Sequence, residues 1–220
     1  MEKIGNHNKK EFQIERIAFF SDAVFSIAIT LLIIEIKVPE IHGQVVSESS
    51  FLNALALLAP RLLGFTLSFF VIGIYWFMHH RMFEFIINYN RKLIWLNLLF
   101  LFSIVLMPFS TAVYSEYSTH EYINLKSPYV VYVVNICLTG LINFLMWSFI
   151  GNPKNLLTED FPKGDFLIKA KIRSLLLPSI FVISLLFAWL VNPGYGRFIP
   201  LLSPIAMRFV KNKKQSGVEK

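Results

Sequence analysis

Followed along its apolar and polar positions, the chain is a series of long apolar runs separated by short polar connections. The runs fall at about 17–36, 54–78, 93–113, 129–150 and 171–191, with a shorter one at about 197–210. A bilayer core roughly 30 Å thick takes about 20 mostly apolar helical residues to cross. The pattern therefore predicts an all-α polytopic membrane protein with six transmembrane helices. Residues 1–15 read as a polar cytoplasmic segment, 16–210 as the transmembrane domain, and 211–220 as a cytoplasmic basic tail. Pro60 suits the first turn of a helix. The second crossing is accordingly expected to begin there, with 51–59 as an apolar lead-in and Arg61 as an anchor at the outer interface.

The first run has two distinct faces. On a helix turning 100° per residue, with Ile27 set at zero, Arg16, Phe20, Ala23, Thr30, Leu31 and Ile34 fall within about 60° of it. Asp22 lies about 140° away, and Ser26, Ile29 and Ile33 share its stripe. A carboxylate within an apolar span costs several kcal/mol unless paired or hydrated. Asp22 is thus either an ion-handling group or a structural hydrogen-bonding group one turn inside the boundary. Periodicity alone favours helix packing over a pore for the stripe Ile27, Leu31, Ile34.

Charge alters this picture by giving it an orientation. The formal net charge is +7, which on a solvated surface would suggest nucleic acid. Here 17 Lys and Arg residues flank the spans on one side and three (Lys37, Lys126, Arg197) on the other. By the positive-inside rule both termini are cytoplasmic and the excess charge is a topology signal, with no nucleic acid implied. Composition agrees: 55% apolar residues, 22 Phe and only 16% charged residues lie well outside the range of soluble domains.

Candidate chemistry is sparse. Cys137 is the single cysteine, so neither a disulfide framework nor a cysteine metal site is expected. His79 and His80 are adjacent, which points them about 100° apart on a helix, and no metal is assigned. The sequence contains no Gly-rich phosphate loop, nucleophile elbow or paired-acid constellation, and no enzyme or cofactor is expected. Asn135 and Asn143 are expected to bond across helices. An ion-coupled secondary transporter using Asp22 and Glu35, or a non-conducting membrane scaffold, remains an alternative on the residues alone.

The run Arg16-x-x-x-Phe20-Ser21-Asp22, continued by Phe25-Ser-Ile27-Ala-Ile-Thr30-Leu31, resembles the signature of the transmembrane protein 175 family of endolysosomal and bacterial potassium channels. Pro60-Arg61-Leu-Leu-Gly64, Trp76-x-x-His79-His80-Arg81, Asn97-Leu-Leu-Phe-Leu and Pro108-Phe109-Ser-Thr111 extend the likeness to about residue 111. The resemblance implies a passive K⁺ channel in a bacterial plasma membrane, its central pore lined by the first helix of each subunit. The narrowest point maps to Ile27, with Leu31 and Ile34 as further apolar pore positions and Thr30 as a nearby polar one. Arg16, Phe20, Ser21, Asp22, Trp76, His79 and His80 map to a network that braces the cytoplasmic end. One signature per chain implies a homotetramer.

Overall fold

The structure, a computed structural model, describes residues 2–39, 47–119, 121–159, 161, 164–197 and 199–202. Side chains are described from Lys10 onward. Six helices and one single-turn helix are present among them: α1 (Glu2–Ile34), α2 (Glu48–Leu57), α3 (Ala59–Phe83), α4 (Arg91–Glu116), α5 (Ser127–Ile150), α6 (Asp165–Leu190) and α7 (Pro193–Gly196). Five of these, α1 from Lys10 and α3 to α6, are long and apolar enough to cross a membrane.

Two boundaries differ from the hydropathy reading. The polar segment before residue 16 is no separate unit, because α1 runs unbroken from Glu2 through it. At 1.5 Å per residue this helix of 33 residues is about 50 Å long, well beyond a bilayer core. Apolarity marks only the stretch facing lipid or protein, whereas helicity here continues into polar sequence. The apolar lead-in before Pro60 is a helix of its own, α2, started by a capping box in which Ser47 and Ser50 exchange backbone and side-chain bonds. The expected sixth crossing at 197–210 falls largely outside the described residues; within them, Ile199–Leu202 is a 3₁₀ turn.

The helix α4 is the hub, packing on α1, α3 and α5, while α6 completes the bundle against α5. Small residues set the helix spacings, as expected where lipid supplies little hydrophobic drive between helices. At Gly140 an added Cβ would lie 2.2 Å from Pro178 Cγ and 2.7 Å from the Ser174 carbonyl. At Gly64 it would lie 2.9 Å from Ser115 Cβ.

Buried hydroxyl and amide groups lock these contacts. Thr111 donates to Ser68 at 2.7 Å, and Ser68 shares a 2.7 Å bond with the Tyr132 hydroxyl, which joins α3, α4 and α5. Asn135 donates to Ser110 and Ser174 donates to Asn143, so both asparagines bond across helices.

Arg61 is more than a lipid-interface anchor. It reaches Glu116 at 2.6 Å and ties the start of α3 to the end of α4. At the same end, the buried Arg197 donates to the carbonyls of Tyr117, Ile123 and Leu125 and to the Ser118 hydroxyl. Its guanidinium lies 5.8 and 5.9 Å from the rings of Tyr114 and Tyr129. The segment after α6 thereby holds both ends of the α4–α5 connection.

Candidate functional site

Helix α1 buries one face and leaves the opposite one uncovered. Ser21, Phe25, Ala28 and Leu32 recur at helical spacing and are 0–1% exposed against α3 and α4. Ile14 continues this buried line toward the N-terminus. On the other side Ile27 is 58%, Leu31 40% and Ile34 68% exposed. Among the five spans α1 is the least enclosed, with 22% of its most apolar window buried against 33–56% for the others. The chain's own helices therefore leave the Ile27 stripe to some other surface.

The stripe is mostly apolar, and its one hydroxyl and that of nearby Ser26 are bonded to the helix itself. Thr30 Oγ1 donates to the Ile27 carbonyl at 2.9 Å and Ser26 Oγ donates to the Asp22 carbonyl at 2.8 Å. Both hydroxyl hydrogens are thus used within the helix, which leaves each oxygen as an acceptor, and the exposed Ile27, Leu31 and Ile34 offer neither donor nor acceptor.

The opposite side of α1 is held by two sets of hydrogen bonds near the Arg16 end. Trp76 of α3 donates its indole Nε1–H to Asp22 Oδ1 at 2.9 Å. The same indole stacks on His80, at 5.5 Å between ring centroids. More deeply, Asn97 of α4 donates to Ser21 Oγ at 3.0 Å, and Ser21 in turn donates to the Ile17 carbonyl at 2.8 Å. With its amide nitrogen engaged, Asn97 turns its carbonyl to His79, whose Nε2 lies 2.8 Å away and donates. The buried His79 ring is stacked on Phe83 and Phe100. One polarised chain of bonds therefore runs from α3 through α4 to α1.

Of the residues mapped to a bracing network, the structure brings together Ser21, Asp22, Trp76 and His79. His80 takes part through its ring alone, with Glu84 4.0 Å from its Nε2. Phe20 is exposed. Arg16 is exposed as well, and its guanidinium meets Gln13 at 3.4 Å rather than Asp22. The separation explains this: Arg16 and Asp22 are six residues apart, about 240° around the helix. Glu35 is exposed, one residue beyond the end of α1. Asn97, the bridge of the network, carries no role in the sequence reading beyond its place in a motif. The available signal was an amide near the start of an otherwise apolar span. Among the described residues, no three His, Cys, Asp or Glu side chains come together as a metal set.

The family model described as endosomal/lysosomal potassium channel TMEM175 matches residues 16–108. A potassium channel of Streptomyces collinus is 36% identical over 132 residues, covering 60% of this chain and 62% of that protein. A potassium channel of Chamaesiphon minutus is 40% identical over 105 residues, covering 48% of this chain and 51% of that protein. The chain thus spans about half to three-fifths of these relatives' length. The crystal structure of a lysosomal potassium-selective channel TMEM175 homolog from Chamaesiphon minutus superposes with a TM-score of 0.73, covering 91% of this chain and 99% of that one at 24% identity. Residues 16–108 carry the TMEM175 pattern, and the described residues take the fold of that solved homolog.

Proposed function

We propose that this chain forms a potassium-permeable cation channel, conducting passively through a central pore lined by α1 of each subunit. The observation that carries the proposal is the exposed stripe Ile27, Leu31, Ile34, set opposite the buried Ser21, Phe25, Ala28 and Leu32. An apolar face inside a bilayer gives no reason for its own placement, but a set of such faces around an axis encloses a narrow lumen. Side chains without donors or acceptors cannot replace an ion's water, so such a lumen discriminates by size and dewetting. Because Na⁺ holds its hydration shell more tightly than K⁺, a constriction at Ile27 favours K⁺ without a cage of carbonyls. Thr30 flanks this narrowest point on the same face.

A single α1 cannot close a ring. We take the assembly to be a homotetramer, with six crossings per chain, both termini cytoplasmic and the plasma membrane as its location. The naming of the Streptomyces and Chamaesiphon relatives as potassium channels supports the choice of ion. Neither a cofactor nor a catalytic group is required for passive conduction.

Purified protein in liposomes tests the reading directly. K⁺ is expected to flow down its gradient at channel rates, with reversal potentials showing preference over Na⁺. Saturable uptake coupled to protons would replace the channel with a transporter.

A further inference from the structure

The proposed pore face does not stop at Ile27. Because α1 is continuous to Glu2, its rotation can be followed toward the N-terminus. Ile14 remains buried at the helical position expected from Ser21, Phe25, Ala28 and Leu32, so the face packed against the protomer keeps its direction at that level. Arg16 is 11 residues before Ile27, which places it about 20° from Ile27 around the helix and about 16 Å below it. The intervening residues on this face, Phe20 and Ala23, are exposed. So is Arg16 itself, which makes only the 3.4 Å contact to the neutral Gln13 among its described bonds.

We infer that Arg16 faces the ion pathway at its cytoplasmic mouth, where one copy per subunit makes a ring of positive charge that thins the local supply of cations and limits outward current. The inference rests on the proposed pore face and extends it. A ring of like charge at a confined mouth produces a local potential that depletes ions of the same sign. That depletion must weaken with salt, as the screening length falls from about 10 Å at 0.1 M to about 3 Å at 1 M. Lys would preserve the effect and Gln would abolish it. A bracing role for Arg16 makes neither prediction.

Single-channel recording of the full-length protein in planar bilayers tests this. Arg16→Gln is expected to raise outward unitary K⁺ current about twofold at 0.1 M KCl, with little change inward, and to converge on the native value at 1 M KCl. Arg16→Lys is expected to behave as native at both salts. Equal currents for Arg16→Gln and native protein at 0.1 M would overturn the inference, as would loss of the assembled protein in both variants, which would make Arg16 a structural contact. Ile27→Asn, recorded alongside, separates the two levels. If it changes permeation while Arg16→Gln does not, the pore face stands and the charged mouth falls; if neither changes permeation, the pore face itself is wrong.

Discussion

The indole N–H of Trp76 meets the Asp22 carboxylate at 2.9 Å, on the side of α1 turned away from Ile27. This bond ties Asp22 of α1 to α3. Trp76→Phe keeps the ring and deletes the donor. A hydrogen bond to a charged group contributes about 1.5–3 kcal/mol when buried, and partial exposure reduces that to about 1 kcal/mol here. Thermal unfolding in detergent should show that loss for Trp76→Phe and for Asp22→Ala, and little more for the two together. Full additivity would mean that the two side chains act independently.

The bridge through Asn97 is expected to matter more. Asn97→Ala leaves His79 Nε2–H without a partner in the packed interior, a cost of about 1–3 kcal/mol, and removes the donor to Ser21 Oγ, which keeps its own bond to the Ile17 carbonyl. The direct coupling between His79 and Asn97 is smaller, since double-mutant cycles in a membrane protein average about 0.6 kcal/mol and peak near 1.7. A cycle across His79→Phe and Asn97→Leu should therefore give a coupling within that range, alongside single-mutant losses that exceed it.

Two glycines in neighbouring helices should behave oppositely. A methyl at Gly140 would drive into the Pro178 ring and the Ser174 carbonyl, neither of which can swing aside. Gly140→Ala is expected to separate α5 from α6 and abolish recovery of monodisperse protein on size-exclusion chromatography. At Gly73 a methyl would meet nothing within 4 Å. Gly73→Ala should leave the protein intact and stabilise α3 by about 0.5–1 kcal/mol through lost backbone freedom in the unfolded chain.

The two faces of α1 can be separated with one substitution type. Ile27→Asn should hydrate the narrow stretch and increase Na⁺ flux relative to K⁺ in liposomes, with the fold retained because Ile27 is exposed within the protomer. Leu32→Asn, at 1% exposure, should instead reduce the yield of folded protein by burying an unpartnered amide. Unchanged permeation in Ile27→Asn would remove that residue from the constriction.

Five of the six expected spans were legible in the sequence because a bilayer imposes a length: Ser127–Ile150 departs by two residues at its start from the run expected at 129–150, while the sixth lies largely outside the described residues. The faces of α1 were legible only in part: a regular helix converts spacing into angle, and the Ile27 stripe is left exposed, but Ser26 and Ile33 on the Asp22 stripe are exposed too, and the buried line is Ser21, Phe25, Ala28 and Leu32. Partnerships across the chain were not. Arg16 and Asp22 are close in sequence but lie on different sides of a cylinder. Asn97 joins Ser21, which is 76 positions away, and no local pattern encodes such a meeting. The polar start of α1 escaped notice because a hydropathy pattern reports burial in lipid, whereas its helicity does not depend on that burial. The pairing of Arg61 with Glu116 likewise needed the antiparallel register of α3 and α4.

The hold of Arg197 on the α4–α5 connection has a consequence for how this protein can change. Three of its four hydrogen-bond acceptors are backbone carbonyls, which every amino acid supplies. The guanidinium thus holds the chain at Tyr117, Ile123 and Leu125 through atoms that do not depend on the side chains at those positions. Substitutions at these three positions leave the acceptors in place, whereas substitution of Arg197 removes the donor to all of them. For anyone engineering the protein, the exposed positions of this connection are the natural place to introduce a label or an epitope.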